Sequence, residues 1–422
     1  VSFVKSSLKK GESMSVNTSV SFQKGYKYRF YPNQKQQQYL KEVFGANRFL
    51  WNKLLEISKT EYELWKSDPD NHQKPTVSGY TLVKRVMEIK QQNNWMNDYP
   101  AVCYQQTALR LGQAFANFFR NVKMGKTSGF PRFKNKYINQ SVGITDQFFR
   151  VSGDSFKFPK LDEEIRLRLH RPLPSKSTSC VVSLTSSGEY TVSFVCEYSP
   201  EKISGEKIVG LDMGITDLIT LSDGVKVSNP KHFVKSQKRL RRLQQSLSRK
   251  KKGSSNRSKA KRKVALCYRD IANKRSTHLH QLSRKLVNDS QVIGVETLNI
   301  KGMLRNGKLS KHVADASWGE LIRQLGYKAR ESQHCSVVMM HPYFPSSHLC
   351  SATGLHLGRK LGLGERKWKC PHCDGEHDRD VNAAQNIAIE AMDFATFHNL
   401  SHPAQCGKVY RIDDKNWRQV LV

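Results

Sequence analysis

Between residues 34 and 66 the apolar positions Leu40, Phe44, Phe49, Leu50 and Leu54 return at helical spacings. The stretch NQKQQQYLKEVFGANRFLWNKLLEISKTEYELW therefore predicts a helix, with a kink or break at Gly45. YTLVKRVMEIKQQ and VCYQQTALRLGQAFANFFRNVK predict two more helices, the second running into the turn-rich GKTSGFPRFKNK. Residues 34–125 read as a helical bundle. Ahead of it, GYKYRFYP (25–32) reads as one strand ended by a proline. From about 140 to 198 the period changes to two. SFKFPKL, EIRLRLH, SCVVSLTSS and EYTVSFVCEY alternate apolar and polar positions and predict a small barrel or sheet. The strand at 25–32 is expected to pair into it, which makes the helices an insertion.

The second half mixes the two periods. KIVGLDMGITDLITLSDG (207–224) predicts two strands joined by a tight glycine turn, and SQVIGVETLNI (290–300) another buried strand. A long basic helical region lies between them. SWGELIRQLGYKARES predicts a helix and CSVVMMHPYFP a strand. Strands interleaved with helices imply an α/β domain, so the expected class is a multidomain α+β protein. No internal repeat is visible.

Composition sharpens this picture. The 422 residues suffice for two or three domains, and 38% hydrophobic with 25% charged residues suits globular units. No run approaches the roughly 18 apolar residues of a membrane span. The opening VSFVKSSLKKGESMSVNTSV lacks the apolar core of a secretory signal. Residues 1–24 read as a disordered leader, with Met14 a candidate natural start. The net charge of +34 points to a polyanion, nucleic acid before a membrane surface, because no basic amphipathic or lipidation motif is found. Nine cysteines, scattered apart from Cys350, Cys370 and Cys373, suit reduced thiols and one metal cluster in a cytosol.

Three acids stand where apolar neighbours would hold them rigidly. Asp212 follows IVGL, Glu296 follows VIGV, and Asp380 immediately precedes VNAAQNIAIE, which reads as a helix. Clustered carboxylates bind hard divalent cations such as Mg²⁺ or Mn²⁺, and a two-metal site hydrolyses phosphodiesters. Singly, each acid is better explained as a turn former or a helix cap. Together, beside +34, they favour a nuclease. In CPHCDGEHDRDVNAAQNI (370–387), Cys370 and Cys373 have zinc-ligand spacing. The matching half is Cys350-Ser-Ala-Thr353, where threonine is a poor ligand. Zn²⁺ on Cys350, Cys370 and Cys373 is expected, with His348, His356 or water as fourth ligand. Three buried thiols without tight zinc are the alternative.

These motifs carry a resemblance. GLDMGI, GVETLNI, SWGELIRQLGYKA, YFPSSHLC and CPHC…HDRDVNAAQNI resemble, in order and approximate spacing, the nuclease domain of TnpB. TnpB is the transposon-encoded RNA-guided DNA nuclease related to miniature type V CRISPR nucleases. RFYPN…FGANRFLWN and NFFRNVK…GFPRFK extend the resemblance to roughly residues 26–390. It implies that Asp212, Glu296 and Asp380 are the catalytic acids, with Asp380 the catalytic member of HDRD and Asp378 its neighbour. At position 353 the family pattern has cysteine, from which this chain departs. The resemblance further implies a β-barrel wedge domain (25–33 and 134–203) with an inserted helical recognition domain (34–133). A RuvC-like, ribonuclease H-fold nuclease domain (204–342 and 378–391) follows, with an inserted zinc-ribbon-like module (343–377). The tail, 392–422, carries no interpretable motif.

Residues 231–264 contain no acid, and Leu240, Leu243 and Leu247 give them one apolar helical face. Such a single-sign run repels itself unless an anion neutralises it. Nucleic acid is the expected anion, with Lys238, Arg239, Arg241, Arg242, Arg249, Lys250, Lys251 and Lys252 as its contacts; the resemblance implies that it is guide RNA and heteroduplex, and KKKGSSNRSKAKRK reads as a flexible turn before the next helix. Nuclear import is a second use for the run if the host is eukaryotic. Among basic residues interleaved with rings, Lys27, Arg29, Arg132 and Lys134 are contact candidates. Phe44, Phe49, Phe118 and Phe119 read as core. Gln105 aligns with a family residue that reads the target-adjacent motif.

The expected activity is RNA-guided, Mg²⁺-dependent cleavage of double-stranded DNA beside a short motif, with guide RNA derived from the element end. Water would attack the phosphodiester in line, leaving a 3′ hydroxyl and a 5′ phosphate. The alternatives are a nuclease-inactive RNA-guided repressor and a guide-independent nuclease or transposase. A monomer is expected, with a dimer open, in a prokaryotic cytoplasm (nucleoid-associated) or a eukaryotic nucleus.

Overall fold

A computed structural model describes residues 22–199, 205–359, 361–362, 364–400 and 408–412. Most of the expected leader lies outside these residues. These residues divide into two compact units, 22–184 with 190–199, and 185–189 with the described residues from 205 onward.

In the first unit, strand β1 (Phe22–Tyr31) leads into helices α1 (Gln34–Ser67), α2 (Gly79–Gln92) and α3 (Ala101–Lys123). Six strands follow: β2 (Gln140–Thr145), β3 (Arg150–Ser152), β4 (Ser155–Lys157), β5 (Ile165–Arg168), β6 (Ser177–Leu184) and β7 (Tyr190–Tyr198). The antiparallel sheet runs β2-β6-β7-β1-β5-β4-β3. The first strand thus lies inside a sheet completed only after three helices. Alternating Tyr28 and Phe30 enter its core beside Phe156, Val192 and Phe194.

The break expected at Gly45 does not occur, since α1 is continuous from Gln34 to Ser67. An Asn33–Gln36 capping box starts it, and Leu40, Val43, Phe44, Leu50, Leu54 and Leu55 bury one face. That packing outweighs the roughly 1 kcal/mol a mid-helix glycine costs. Phe119, expected in the core, is 49% exposed at the end of α3, while Phe44 is buried.

The second unit opens with β8 (Lys207–Met213), β9 (Asp217–Leu221) and β10 (Lys226–Ser228) as an antiparallel meander. Helices α4 (His232–Ser248) and α5 (Ser255–Asp289) follow, then β11 (Ser290–Val295). Next come α6 (Ile300–Arg305), α7 (Ser310–Ala316), α8 (Trp318–Ser332) and β12 (Ser336–Met339). A small hairpin, β13 (Lys367–Lys369) and β14 (Glu376–Asp378), leads into α9 (Arg379–Phe397), and β15 (Val409–Arg411) ends the described chain. The sheet order is β10-β9-β8-β11-β12-β15, with β8, β11, β12 and β15 parallel.

The period of two decides which helix covers which face. Val209, Leu211, Ile293, Val295, Val337 and Met339 pack with α5 and α8. Val292 and Val338 pack against Ile387, Ala391 and Phe394 of α9. The sheet is therefore covered on both faces. Helix α9 continues past 391, and β15 joins the sheet edge, so part of the uninterpreted tail belongs to this core. The basic turn is shorter than expected. Ser254 accepts the Arg257 amide and starts α5, so SNRSKAKRK is already helical, and Arg257 Nη1 donates to the Leu247 and Lys250 carbonyls at 3.0 and 2.9 Å.

Candidate active site and metal cluster

Asp212 is the penultimate residue of β8, and Glu296 directly follows β11, its parallel neighbour. The carboxyl ends of parallel strands are where open α/β sheets place ligands. Asp380 is the second residue of α9. All three line a cavity of about 350 Å³ with Asp217, Ser346, Arg366 and Arg379. Burial pushes the Asp212 carboxyl well above the usual range, and the charges of Glu296 and Asp380 push it further. Burial also raises Glu296, partly offset by the Ser346 hydroxyl, which donates to Glu296 Oε1 at 2.9 Å.

Asp378, the other acid of HDRD, has a different place. Its Oδ1 accepts the backbone amides of Asp380 and Val381, both at 3.1 Å, so it caps α9. Its Oδ2 meets Lys226 Nζ of β10 at 2.7 Å. Burial opposes its ionisation, but Lys226 and the amides outweigh burial and hold its pKa below the ordinary value. Arg366 Nη1 donates to both Asp380 oxygens at 3.0 Å. Sequence reading missed Arg366 and Arg379. Fourteen positions separate Arg366 from Asp380, and only the β13–β14 hairpin brings them together.

The segment from Ser346 to Ser351 is held by amides of α9. Asn386 Nδ2 donates to the Ser346 and Leu349 carbonyls at 2.7 and 2.8 Å. Asn382 Nδ2 donates to Leu349 O at 2.7 Å, and its Oδ1 accepts from Ser351 N at 2.8 Å. Both side chains are buried. Glu296's partner and Cys350 therefore hang on the same helix that carries Asp380.

Cys350, Cys370, Cys373 and His377 form a cluster whose ligand atoms all lie within 4.8 Å of one another. The Cys350 and Cys373 sulfurs are 3.6 Å apart, and His377 Nε2 lies 3.7 and 3.3 Å from them. The two histidines considered from the sequence lie elsewhere. His356 Nδ1 accepts from Gly358 N at 3.1 Å, and the His348 ring packs edge-on against it. Burial raises the Cys350 thiol, but bonds from Thr353 and from the Ala352 and Thr353 backbone outweigh that and bring it to about 6. His377 was passed over because it reads as part of HDRD; its spacing, four residues after the second cysteine of the C-x-x-C pair, was the available signal.

The basic candidates of the second unit, Lys238, Arg239, Arg241, Arg242, Arg249, Lys250, Lys251 and Lys252, are all exposed, while Leu240 packs with Cys267 and Ile271. In the first unit, Lys27, Arg29, Gln105 and Arg132 are exposed. Lys134 turns inward, its Nζ 3.7 Å from the Trp51 ring centre, and burial lowers it to about 8.

Family models match along most of this architecture. The OrfB_IS605 model, described as a probable transposase, matches residues 190–307, and the Cas12f1-like TNB domain matches 318–387. A helix-turn-helix domain model matches 22–66. A Streptomyces pristinaespiralis protein named "Putative RNA-guided DNA endonuclease" is 37% identical over 374 residues, covering 87% of this chain and 89% of that protein. The Escherichia coli protein InsQ, named in the same words, is 29% identical over 86% of this chain and 90% of its own length. A cryo-EM structure of a Cas12f1–sgRNA–target DNA complex shares the fold, with TM-score 0.53 and 14% identity over 84% of this chain and 83% of that one. The chain belongs to the TnpB family, the OrfB proteins of insertion sequences.

Proposed function

We propose that this protein is an RNA-guided DNA endonuclease of a transposable element. The observation that carries the reading is the convergence of Asp212, Glu296 and Asp380, from two strands and a helix, on one cavity that also holds two arginines. Relatives named as RNA-guided DNA endonucleases along most of the chain support guidance by RNA, and so does the net charge of +34. The order β10-β9-β8-β11-β12, antiparallel and then parallel, supports a ribonuclease H-like (RuvC) nuclease domain. The antiparallel sheet with its inserted helices supports the wedge and recognition domains.

The donor set suits a hard divalent cation. Two buried carboxylates whose proton affinity is raised are stabilised in their ionised form by a dication, and all the oxygen donors are hard. Asp212, Glu296 and Asp380 would hold Mg²⁺ or Mn²⁺, which activates water and stabilises the leaving oxygen. The remaining groups belong to the chain itself. Ser346 orients Glu296 through its hydroxyl. Arg366 and Arg379 bring cationic forks to the same cavity and bind the scissile phosphate. Lys238, Arg239, Arg241, Arg242 and the Arg249–Lys252 turn hold RNA and heteroduplex backbone, and Lys27, Arg29, Gln105 and Arg132 contact nucleic acid from the first unit. Cys350, Cys370 and Cys373 hold a structural zinc.

The test is expression with flanking element DNA, sequencing of copurified RNA, and cleavage of a plasmid matched to that RNA. A discrete RNA with a constant scaffold and a variable end is expected. Cutting should fall by about 10³-fold or more in each of Asp212→Ala, Glu296→Ala and Asp380→Ala, with RNA retained. Cutting that survives these substitutions would sink the acid assignment. Cutting without RNA would make the protein a guide-independent nuclease.

A further inference from the structure

We propose that His377 completes a Cys₃His zinc site and that zinc there fixes the start of α9, and with it Asp380, through Asp378. The role given to Asp380 rests on the nuclease reading; the metal site and its effect on the helix do not.

The distances carry the first half. Zinc with sulfur at about 2.3 Å and nitrogen at about 2.0 Å in a tetrahedron spaces sulfur pairs about 3.8 Å apart and sulfur–nitrogen pairs about 3.5 Å apart. The cluster has 3.6 Å between Cys350 and Cys373, and 3.7 and 3.3 Å from these sulfurs to His377 Nε2. A disulfide would bring two sulfurs to about 2.05 Å, so the thiols are spaced for an ion and not for each other. The imidazole is held in this orientation by Trp368, stacked on it at 4.7 Å and 21°. Around the cluster the apolar support is small: besides the cysteines, Leu357, Leu361 and Trp368 are its only buried members among the described residues. So few residues do not hold a module together, and a structural metal does that work in small domains.

The second half follows from chain connectivity. His377 is paired with Trp368 across the hairpin, and Asp378 is the next residue. Asp378 caps α9 through the Asp380 and Val381 amides and is tied to β10 by Lys226. On the other strand of the hairpin, the Arg366 carbonyl accepts the Arg379 amide at 2.8 Å, while the Arg366 guanidinium holds Asp380. Zinc gripping Cys370 and His377 would clamp both strands of this hairpin. The metal would thereby position a carboxylate that it does not touch.

The experiment uses the full chain with its copurified RNA. Zinc content is measured by elemental analysis, and the ligand set by the visible spectrum after cobalt substitution, in wild type, His377→Ala, His356→Ala and Thr353→Ala. One zinc per chain is expected in all except His377→Ala, which should lose it or release it at about 10-fold lower chelator concentration. Should His377→Ala fail to fold, His377→Cys is expected to keep the metal with a cobalt spectrum shifted toward four sulfurs. Full retention in His377→Ala, an unshifted spectrum in His377→Cys, or loss in His356→Ala would overturn the ligand assignment. Amide hydrogen exchange reads the coupling. Removing zinc from wild type should speed exchange at Asp380 and Val381 by about 10-fold or more, with β8 and β11 unchanged. Lys226→Met should speed it in part with zinc retained. Exchange at α9 that ignores zinc would overturn the coupling. A chain that passes both measurements yet never cuts DNA would count against the nuclease reading alone.

Discussion

Gly210 and Gly294 are register partners on the adjacent parallel strands β8 and β11, and each lies two residues before an acid, Asp212 and Glu296. With a period of two, glycine and acid share a face, and that face is covered by α9. A Cβ at Gly210 would meet the Ala384 carbonyl oxygen at 2.0 Å and the Ala388 nitrogen at 2.5 Å. At Gly294 it would meet Ile387 Cγ2 and Ala391 Cβ at 2.9 Å. The missing side chains let the helix lie directly on the sheet, close enough for Asp380 to join the other two acids.

Gly210→Ala must displace helix backbone, whereas at Gly294 two of the three nearest atoms belong to side chains. Gly210→Ala is expected to cost about 3 kcal/mol or more and Gly294→Ala about 1–3 kcal/mol, both with reduced cutting. Urea unfolding midpoints of the two variants against wild type check this. Equal, negligible shifts would mean that the helix is not seated by these glycines.

The paired glycines also show what the sequence reveals and hides. IVGLD and VIGVE announce buried strands running into acids, which places Asp212 and Glu296 at strand ends, although only their grouping with Asp380 and the net charge made them candidates. That the same strings repeat a glycine at the same offset has meaning only once the strands are neighbours in one register. Arg366 was hidden for a similar reason, since a hairpin and not a helical or strand period carries it to Asp380. Asn382 and Asn386 read as ordinary helix residues because nothing local shows which carbonyls they meet. Gly45 misled in the other direction: its local preference for a break is overruled by a buried face that only the tertiary fold supplies.

Those two asparagines should separate by function. Asn386→Leu leaves the Ser346 and Leu349 carbonyls without its amide, at a cost of about 1–3 kcal/mol, and loosens the serine that holds Glu296. Asn382→Leu releases Ser351, next to Cys350. Cutting at saturating RNA is expected to suffer more in the first variant, and zinc retention against a chelator more in the second. Identical profiles would show that the two amides act only as general packing.

The raised carboxyls of Asp212 and Glu296 set a pH dependence of definite sign. Between the ordinary carboxylate pKa and the raised folded one, the folded chain binds more protons than the unfolded chain, so its metal-free stability falls as pH rises through that window. Asp212→Asn removes much of this slope. A divalent cation reverses the penalty by favouring the ionised pair, so the melting-temperature gain from Mg²⁺ should grow with pH. At limiting Mg²⁺, cutting should rise with pH as the pair ionises and takes up the cation. Melting curves with and without Mg²⁺ from pH about 4 to 8 provide the check, and a Mg²⁺ gain that shrinks as pH rises would contradict the assignment.

The exposed turn and the inward lysine should answer differently to salt. Lys250, Lys251 and Lys252 project from the end of the α4–α5 hairpin with no acid within the basic run. Each phosphate of single-stranded RNA that a lysine neutralises adds about 0.7 to the steepness of log K against log salt, so replacing all three by alanine should lower it by about 2. The drop in affinity should be largest at low salt and nearly independent of RNA sequence. Lys134 has its ammonium 3.7 Å from the Trp51 ring centre and holds its proton less firmly, at about 8. Lys134→Ala should therefore leave the salt slope near wild type and lower the unfolding midpoint instead, because the packing and the cation–π interaction are removed. RNA titrations at several salt concentrations, with melting curves on the same samples, separate the two effects. A reduced salt slope in Lys134→Ala would mean that the side chain leaves Trp51 to meet phosphate when RNA binds. An unchanged slope in the triple variant would move RNA binding away from the turn and onto the Lys238–Arg242 face of α4.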